Sequence, residues 1–211
     1  MEMTQLPEQS STCLGDAYIL SEIADGDLSH FGVFMKRYKE RLMSYIVHRI
    51  PDRHHAEDLV QETFLRFFRA SQAGSYRGQS TVATWLFTIA TNCVTDFVRV
   101  SVRRPLTLES DIVAKDDASS SDLFGRCYSA GPGPADVAAY HESQESVNAL
   151  LRRLPDEQRQ VVALKVFGEL TFQEIADVVG CPLGTAKSRL IHGLRKIEAM
   201  FSRSEDLKHG Q

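Results

Sequence analysis

The sequence predicts an all-α protein of two small helical domains joined by a flexible linker, the second a helix-turn-helix of winged-helix-like type without a wing. Three observations carry that reading. Apolar residues in two separate blocks recur at three- and four-residue spacing instead of alternating, which is the helical period. Between the blocks, residues 105–134 hold Asp111, Asp116, Asp117, Ser119, Ser120, Ser121, Asp122 and the run Gly131-Pro132-Gly133-Pro134, with no period of either kind. Near the C-terminus, a capped helix, a glycine stop and a second helix with basic and hydroxyl side chains follow one another from Leu170 to Leu190. The chain accordingly divides into an N-terminal segment (1–27) that is either disordered or regulatory, a first domain (28–104), an acidic linker (105–134), a second domain (135–203) and a short tail (204–211).

In the first domain, Phe31, Phe34, Met35, Tyr38, Leu42, Tyr45 and Ile46 mark one amphipathic helix, which Pro51-Asp52 ends. A second helix spans about 55–70 and packs through Ala56, Val60, Thr63, Phe64 and Phe67. Its outer face carries Asp58, Gln61, Glu62, Leu65 and Arg69 at i, i+3, i+4, i+7 and i+11. That arrangement sets a leucine among carboxylates, and it suits either a solvated face or docking onto a basic partner. A polar loop, 71–81, contains Gly74, Tyr76, Arg77 and Gly78; Tyr76 and Arg77 offer planes on which unpaired bases stack. The third helix starts near Thr84 and buries Trp85, Leu86, Ile89, Ala90, Cys93 and Phe97. Its opposite face shows Thr88, Asn92, Thr95, Asp96 and Arg99, hydrogen-bonding groups suited to base edges and phosphates.

In the second domain, Thr171 caps a helix and Glu174, three residues on, completes a capping box. Gly180 supplies a left-handed stop, and Pro182 is tolerated in the first turn of the next helix. That helix sorts Ala186, Leu190, Leu194 and Ile197 to a packing side and Thr185, Ser188, Arg189, His192 and Arg195 to an open side. Arginine pairs two-pronged with a guanine edge, and hydroxyls take base edges or phosphates, so the open side suits the major groove. An amphipathic helix of an ordinary bundle is the plainer alternative for such a face, and the capping box, glycine turn and small Ala176 argue against it.

With 211 residues and 43% hydrophobic residues, the composition is that of a globular chain. A formal net charge of −4 does not fit DNA binding by bulk electrostatics, so DNA contact must be local or assisted by a partner. Cys13, Cys93, Cys127 and Cys181 lack the close pairs of zinc knuckles or redox dithiols and read as reduced thiols. The longest apolar-looking stretch, 83–100, is interrupted by threonines, Asn92, Asp96 and Arg99, so neither export nor membrane insertion is expected. His48, His54, His55 and Glu57 do not form a believable metal-enzyme set, because adjacent histidines cannot share a helix face. No phosphate-binding glycine loop or nucleophile elbow occurs either. No cofactor, metal, catalytic residue or small-molecule substrate is expected.

Four segments in this order resemble bacterial sigma factors of the extracytoplasmic-function group of the sigma-70 family. Ala56 to Phe64 looks like that group's core-polymerase-binding helix, and Thr84 to Asn92 like its promoter-melting segment. Leu154-Pro155-Asp156-Glu157-Gln158-Arg159 and Gly184 to Leu190 resemble its fourth conserved region. The resemblance implies that Asp58, Gln61, Glu62, Leu65 and Arg69 dock on core RNA polymerase. It implies that Tyr76, Arg77, Trp85, Thr88, Asn92, Thr95, Asp96 and Arg99 serve the minus-10 element, and that Thr171, Thr185, Lys187, Ser188, Arg189, His192 and Arg195 read the minus-35 element. It further implies cytoplasmic action and control by an anti-sigma factor.

This chain departs from the group at Val82, Ala83, Thr88 and Thr91, where relatives often carry aromatic or basic residues. It departs again at Ile191-His192-Gly193, which stands where the group commonly has a basic residue, arginine and alanine. A free-standing helix-turn-helix regulator is the rival reading, and the 58–69 face discriminates the two.

Overall fold

The computed structural model describes residues 15–50, 52–103 and 149–209. Seven helices are delimited there: α1 (Asp16–Ala24), α2 (Leu28–Val47), α3 (Arg53–Gln72), α4 (Val82–Arg103), α5 (Asp156–Val166), α6 (Phe172–Val179) and α7 (Leu183–His209). No strand occurs among the described residues. The expected linker, Cys13 and Cys127 lie outside them.

Helices α1 to α4 form the first domain around an aromatic core. Phe34 of α2 stacks on Phe67 of α3 at 4.4 Å between centroids, and Phe31 meets Phe64 edge-on at 6.3 Å. Tyr45 is fully buried; its ring packs against Phe87 and its hydroxyl bonds Thr91 Oγ1 at 2.7 Å, which satisfies the buried polar group. Asp27 caps α2 and Asp52 caps α3, each accepting from a backbone amide of the first turn.

Two boundaries differ from expectation. Part of the N-terminal segment is ordered as α1, whose Ile19 and Ile23 are wholly buried, and Asp16 accepts bonds from Arg37 and Tyr38 of α2. Nine residues hold too few helical turns for a clear periodic signal, and these turns are held by tertiary contacts. At the other end, α7 continues to His209, through most of the expected tail.

The second domain packs α5, α6 and α7 around Val161, Val162, Leu164, Ile175, Ala176, Ala186 and Leu190. Between α5 and α6 the chain turns sharply. Gly168 has no room for a side chain, since a Cβ would stand 2.5 Å from the Leu164 carbonyl oxygen, and Glu169 takes a left-handed φ of 52°. On α7 the packing line differs from expectation at Leu194, which is 47% exposed, whereas Gly193 is buried against Val162. The close helix crossing at Gly193 rotates the contact line to Ala186, Leu190, Gly193 and Ile197, leaving Leu194 on its outer edge.

Candidate nucleic-acid interface

Three surfaces carry the residues singled out above. On α3, Asp58, Gln61 and Arg69 are exposed, and Glu62 and Leu65 are half-buried. Leu65 is therefore a shallow apolar patch within a polar face. Glu62 accepts from Arg66 Nε at 2.6 Å, and Arg66 Nη1 lies 3.8 Å from Asp96 of α4. The acidic face of α3 is thus tied through Arg66 to the polar face of α4, a link absent from either helix's pattern alone.

The loop after α3 is shaped by Gly74 and Gly78, both at positive φ near 65°. Tyr76 is folded inward: its ring packs on Trp85 at 5.2 Å and its hydroxyl donates to the Ser80 carbonyl. Trp85 in turn packs on Phe67 at 4.9 Å. The aromatic pair anchors the loop to the core, and Arg77 is left exposed at its tip. Along α4, Thr88 and Thr95 donate their hydroxyl protons back to the carbonyls of Thr84 and Thr91, so toward a base edge they offer acceptor lone pairs. Asn92 is exposed, and Asp96 lies between Arg66 and Arg99.

The helix-turn-helix forms as its sequence dictates. The Glu174 amide donates to Thr171 Oγ1, and the Thr171 amide donates to Glu174 Oε2 at 2.8 Å, closing the capping box. Gly180 ends α6 at φ 70°, ψ 41°. Pro182 stands just ahead of α7, its carbonyl accepting from the Thr185 and Ala186 amides, one position earlier than expected. Ser188, His192 and Arg195 are exposed on one side of α7, with Thr185 half-buried beside them. Lys187 leans back over the Phe172 ring, and Ser188 donates to the Thr185 carbonyl at 3.0 Å. Arg189 is held at 2.7 Å by Glu157 of α5.

The two domains touch through polar groups. Glu174 Oε1 accepts from Thr81 Oγ1 at 2.6 Å and from Thr84 Oγ1 at 2.8 Å, and Thr81 is the residue that caps α4. Partial burial of Glu174 opposes its charge, but the bonds from Thr81, Thr171 and Thr84 outweigh it and bring the carboxyl down to about 2. Arg41 of α2 reaches the Phe167 and Gly168 carbonyls at the end of α5 and lies 3.4 Å from Glu169. Arg49 pairs with Asp156 at 3.3 Å, and Arg152 meets the Val47 carbonyl. Sequence reasoning missed Arg41 and Arg152, because backbone carbonyls are identical at every position and leave no signature, and Arg49, because its carboxylate partner stands 107 residues away.

The histidines weighed for a metal enzyme do not assemble one. His48 is buried, His54 is exposed, and His55 pairs with Asp52 at 3.2 Å. Among the described residues, the group with ligand atoms in reach of one ion is Glu22, Asp27 and His30. There Asp27 is committed to capping, accepting from the amide and hydroxyl of Ser29 and bonding His30 Nδ1.

Comparison with known proteins finds two family regions in the chain. Residues 34–104 match Sigma-70 region 2, and residues 144–197 match Sigma-70, region 4. The chain is 28% identical to an RNA polymerase sigma-H factor of Pseudomonas aeruginosa, over 87% of this chain and 92% of that one. It is 27% identical to an ECF RNA polymerase sigma-E factor of Escherichia coli, over 88% and 93%. In fold it resembles CnrH, solved with the cytosolic domain of CnrY, at a TM-score of 0.61 and 19% identity, covering 89% of this chain and 97% of that one. It also resembles the sigma factor RpoE of Bartonella quintana, solved with the anti-sigma factor NepR, at 0.56 and 18%, covering 80% and 94%.

Proposed function

This chain belongs to the sigma-70 family, in its extracytoplasmic-function group, and on that premise we propose how its residues divide the work of promoter-specific initiation. As a sigma factor it binds core RNA polymerase and directs it to promoter DNA. The observation that supports the division is the placement of the two matched regions: the first contains the acidic face of α3 and the Trp85 helix, the second the capped helix-turn-helix.

The exposed Asp58 and Gln61, with Glu62, Leu65 and Arg69 beside them, form the docking face for a basic surface of the polymerase clamp. Arg77 at the loop tip, the Tyr76–Trp85 pair, Thr88, Asn92, Thr95, Asp96 and Arg99 serve the minus-10 element and its melting. Unstacking a base costs roughly a few kcal/mol, which the aromatic pair and the polar face of α4 offset. Thr171, Thr185, Lys187, Ser188, Arg189, His192 and Arg195 serve the minus-35 duplex, the amino end of α7 pointing into the groove. The chain contributes no catalytic residue, and bond formation belongs to the polymerase. It works in the cytoplasm with that enzyme, and by extension from the CnrH and RpoE complexes an anti-sigma protein controls it; among the described residues no helix is long and apolar enough to cross a membrane.

The test is run-off transcription with core polymerase on a random promoter library. Initiation at a shared pair of elements is expected, and a folded, core-bound protein that initiates nowhere sinks the assignment. Charge reversal at Asp58 and Glu62 together is expected to abolish association with core. Tight promoter recognition by the free chain, unaffected by polymerase, would favour a free-standing regulator instead.

A further inference from the structure

Asp96 stands on the face of α4 proposed for the minus-10 element, yet a bare carboxylate there would repel the phosphates that the same face must approach. Two guanidiniums from two helices flank it. Arg99, one turn on, places Nη1 3.9 Å from Asp96 Oδ1, and Arg66 of α3 places Nη1 3.8 Å from Oδ2. Both are charge contacts, longer than hydrogen bonds, so neither cation is locked to the carboxylate. The Arg99 side chain keeps 68% of its surface in solvent, where a phosphate can reach it.

Arg66 is anchored where Arg99 is loose. Its Nε donates to Glu62 Oε1 at 2.6 Å, one turn back on α3, and its charge acts on the buried Cys93 thiol of α4. Burial raises the pKa of that thiol, and the Arg66 charge opposes the rise. Arg66 thus crosses from α3 to α4 at a set place and presents a permanent positive charge to Asp96. The carboxylate is divided between an anchored cation and a loose one. Without Arg66, Asp96 would be left with Arg99, its i+3 neighbour, and that pair would close.

We infer that Arg66 is a positioning residue of minus-10 recognition: by sharing the Asp96 carboxylate it keeps the Arg99 guanidinium available to a promoter phosphate. In this arrangement Arg99 touches the DNA, while Arg66 and Asp96 act through it. This inference rests on the functional assignment above.

The test is the salt dependence of open-complex formation by the full chain with core polymerase, on a promoter recovered by the run-off selection. Core is kept in excess, so that release of Glu62 from Arg66 does not limit loading. Arg66→Gln is expected to make the slope of log K against log salt shallower by about 0.7 to 0.9, the loss of one phosphate contact on a single or a double strand. Adding Asp96→Asn removes the carboxylate that recaptures Arg99 and is expected to restore the parental slope. Arg99→Gln should lose the same contact, and adding Arg66→Gln to it should change the slope no further. A parental slope in Arg66→Gln overturns the inference. So does a shallower slope that Asp96→Asn leaves uncorrected, because Arg66 would then hold a phosphate itself. Both outcomes leave the functional assignment standing, since the parent still initiates, whereas absence of initiation by the parent overturns both.

Discussion

The Arg189 guanidinium lies 2.7 Å from the Glu157 carboxylate, on the face of α7 proposed above for the minus-35 duplex. Glu157 is itself 71% exposed, so the pair is screened and adds little to stability. Its consequence is directional: one side of the guanidinium is occupied, and the remaining donors point elsewhere. Glu157→Gln is therefore expected to free Arg189 for phosphates, raising affinity for scrambled duplex and narrowing the gap to the selected promoter. Competition binding at fixed salt measures both, and an unchanged ratio would show that Glu157 does not orient Arg189.

Gly193 sets how closely α7 crosses α5. A Cβ there would stand 2.8 Å from Val162 Cγ2, and the branched valine has little freedom to move aside. Gly193→Ala should destabilise the protein by about 1–3 kcal/mol despite its better helix propensity. Adding Val162→Ala should recover part of that loss in denaturant melts. If the single substitution raises stability, the crossing is looser than the geometry indicates.

His48 sits 1% exposed at the end of α2, with Tyr45 beside it. Burial depresses its pKa to about 3 against an ordinary 6.5, only partly offset by the Ser44 backbone. The folded state binds this proton less readily than the unfolded chain does. His48's stabilising share is thus complete above pH 6.5 and is lost as pH falls toward about 3, on the order of a few kcal/mol. Urea midpoints across that window should fall less steeply in His48→Leu than in the parent, and equal slopes would refute the burial argument.

His192 is exposed on the open side of α7. His192→Arg should tighten minus-35 binding and steepen its salt dependence by about one unit of log K per log salt. A salt titration in a mobility-shift assay checks it; weaker or unchanged binding removes His192 from the phosphates.

Local rules within a few residues were enough for much of the molecule. The Thr171–Glu174 capping box, the Gly180 stop, the α2 to α4 periodicity and the buried Cys93 are each decided by neighbours within about one or two helical turns, so the amino-acid order carries them. The division into two helical domains and the four family segments were legible for the same reason, and the family matches fall on those domains.

Other features depended on partners far along the chain. Leu194 and Gly193 exchanged places because a helix crossing, not the period, chooses which residue is covered. Tyr76 turned inward because Trp85 and Phe67 offered a ring surface. Arg41 grips carbonyls 126 and 127 residues away, and Glu174 serves a second helix end as well as its own. Amino-acid order alone determined that this chain has two helical domains, each with a polar face. Only the tertiary structure decided that those faces meet, because hydrogen bonds between distant hydroxyls, carboxylates and backbone carbonyls follow from packing geometry and leave no pattern in the sequence.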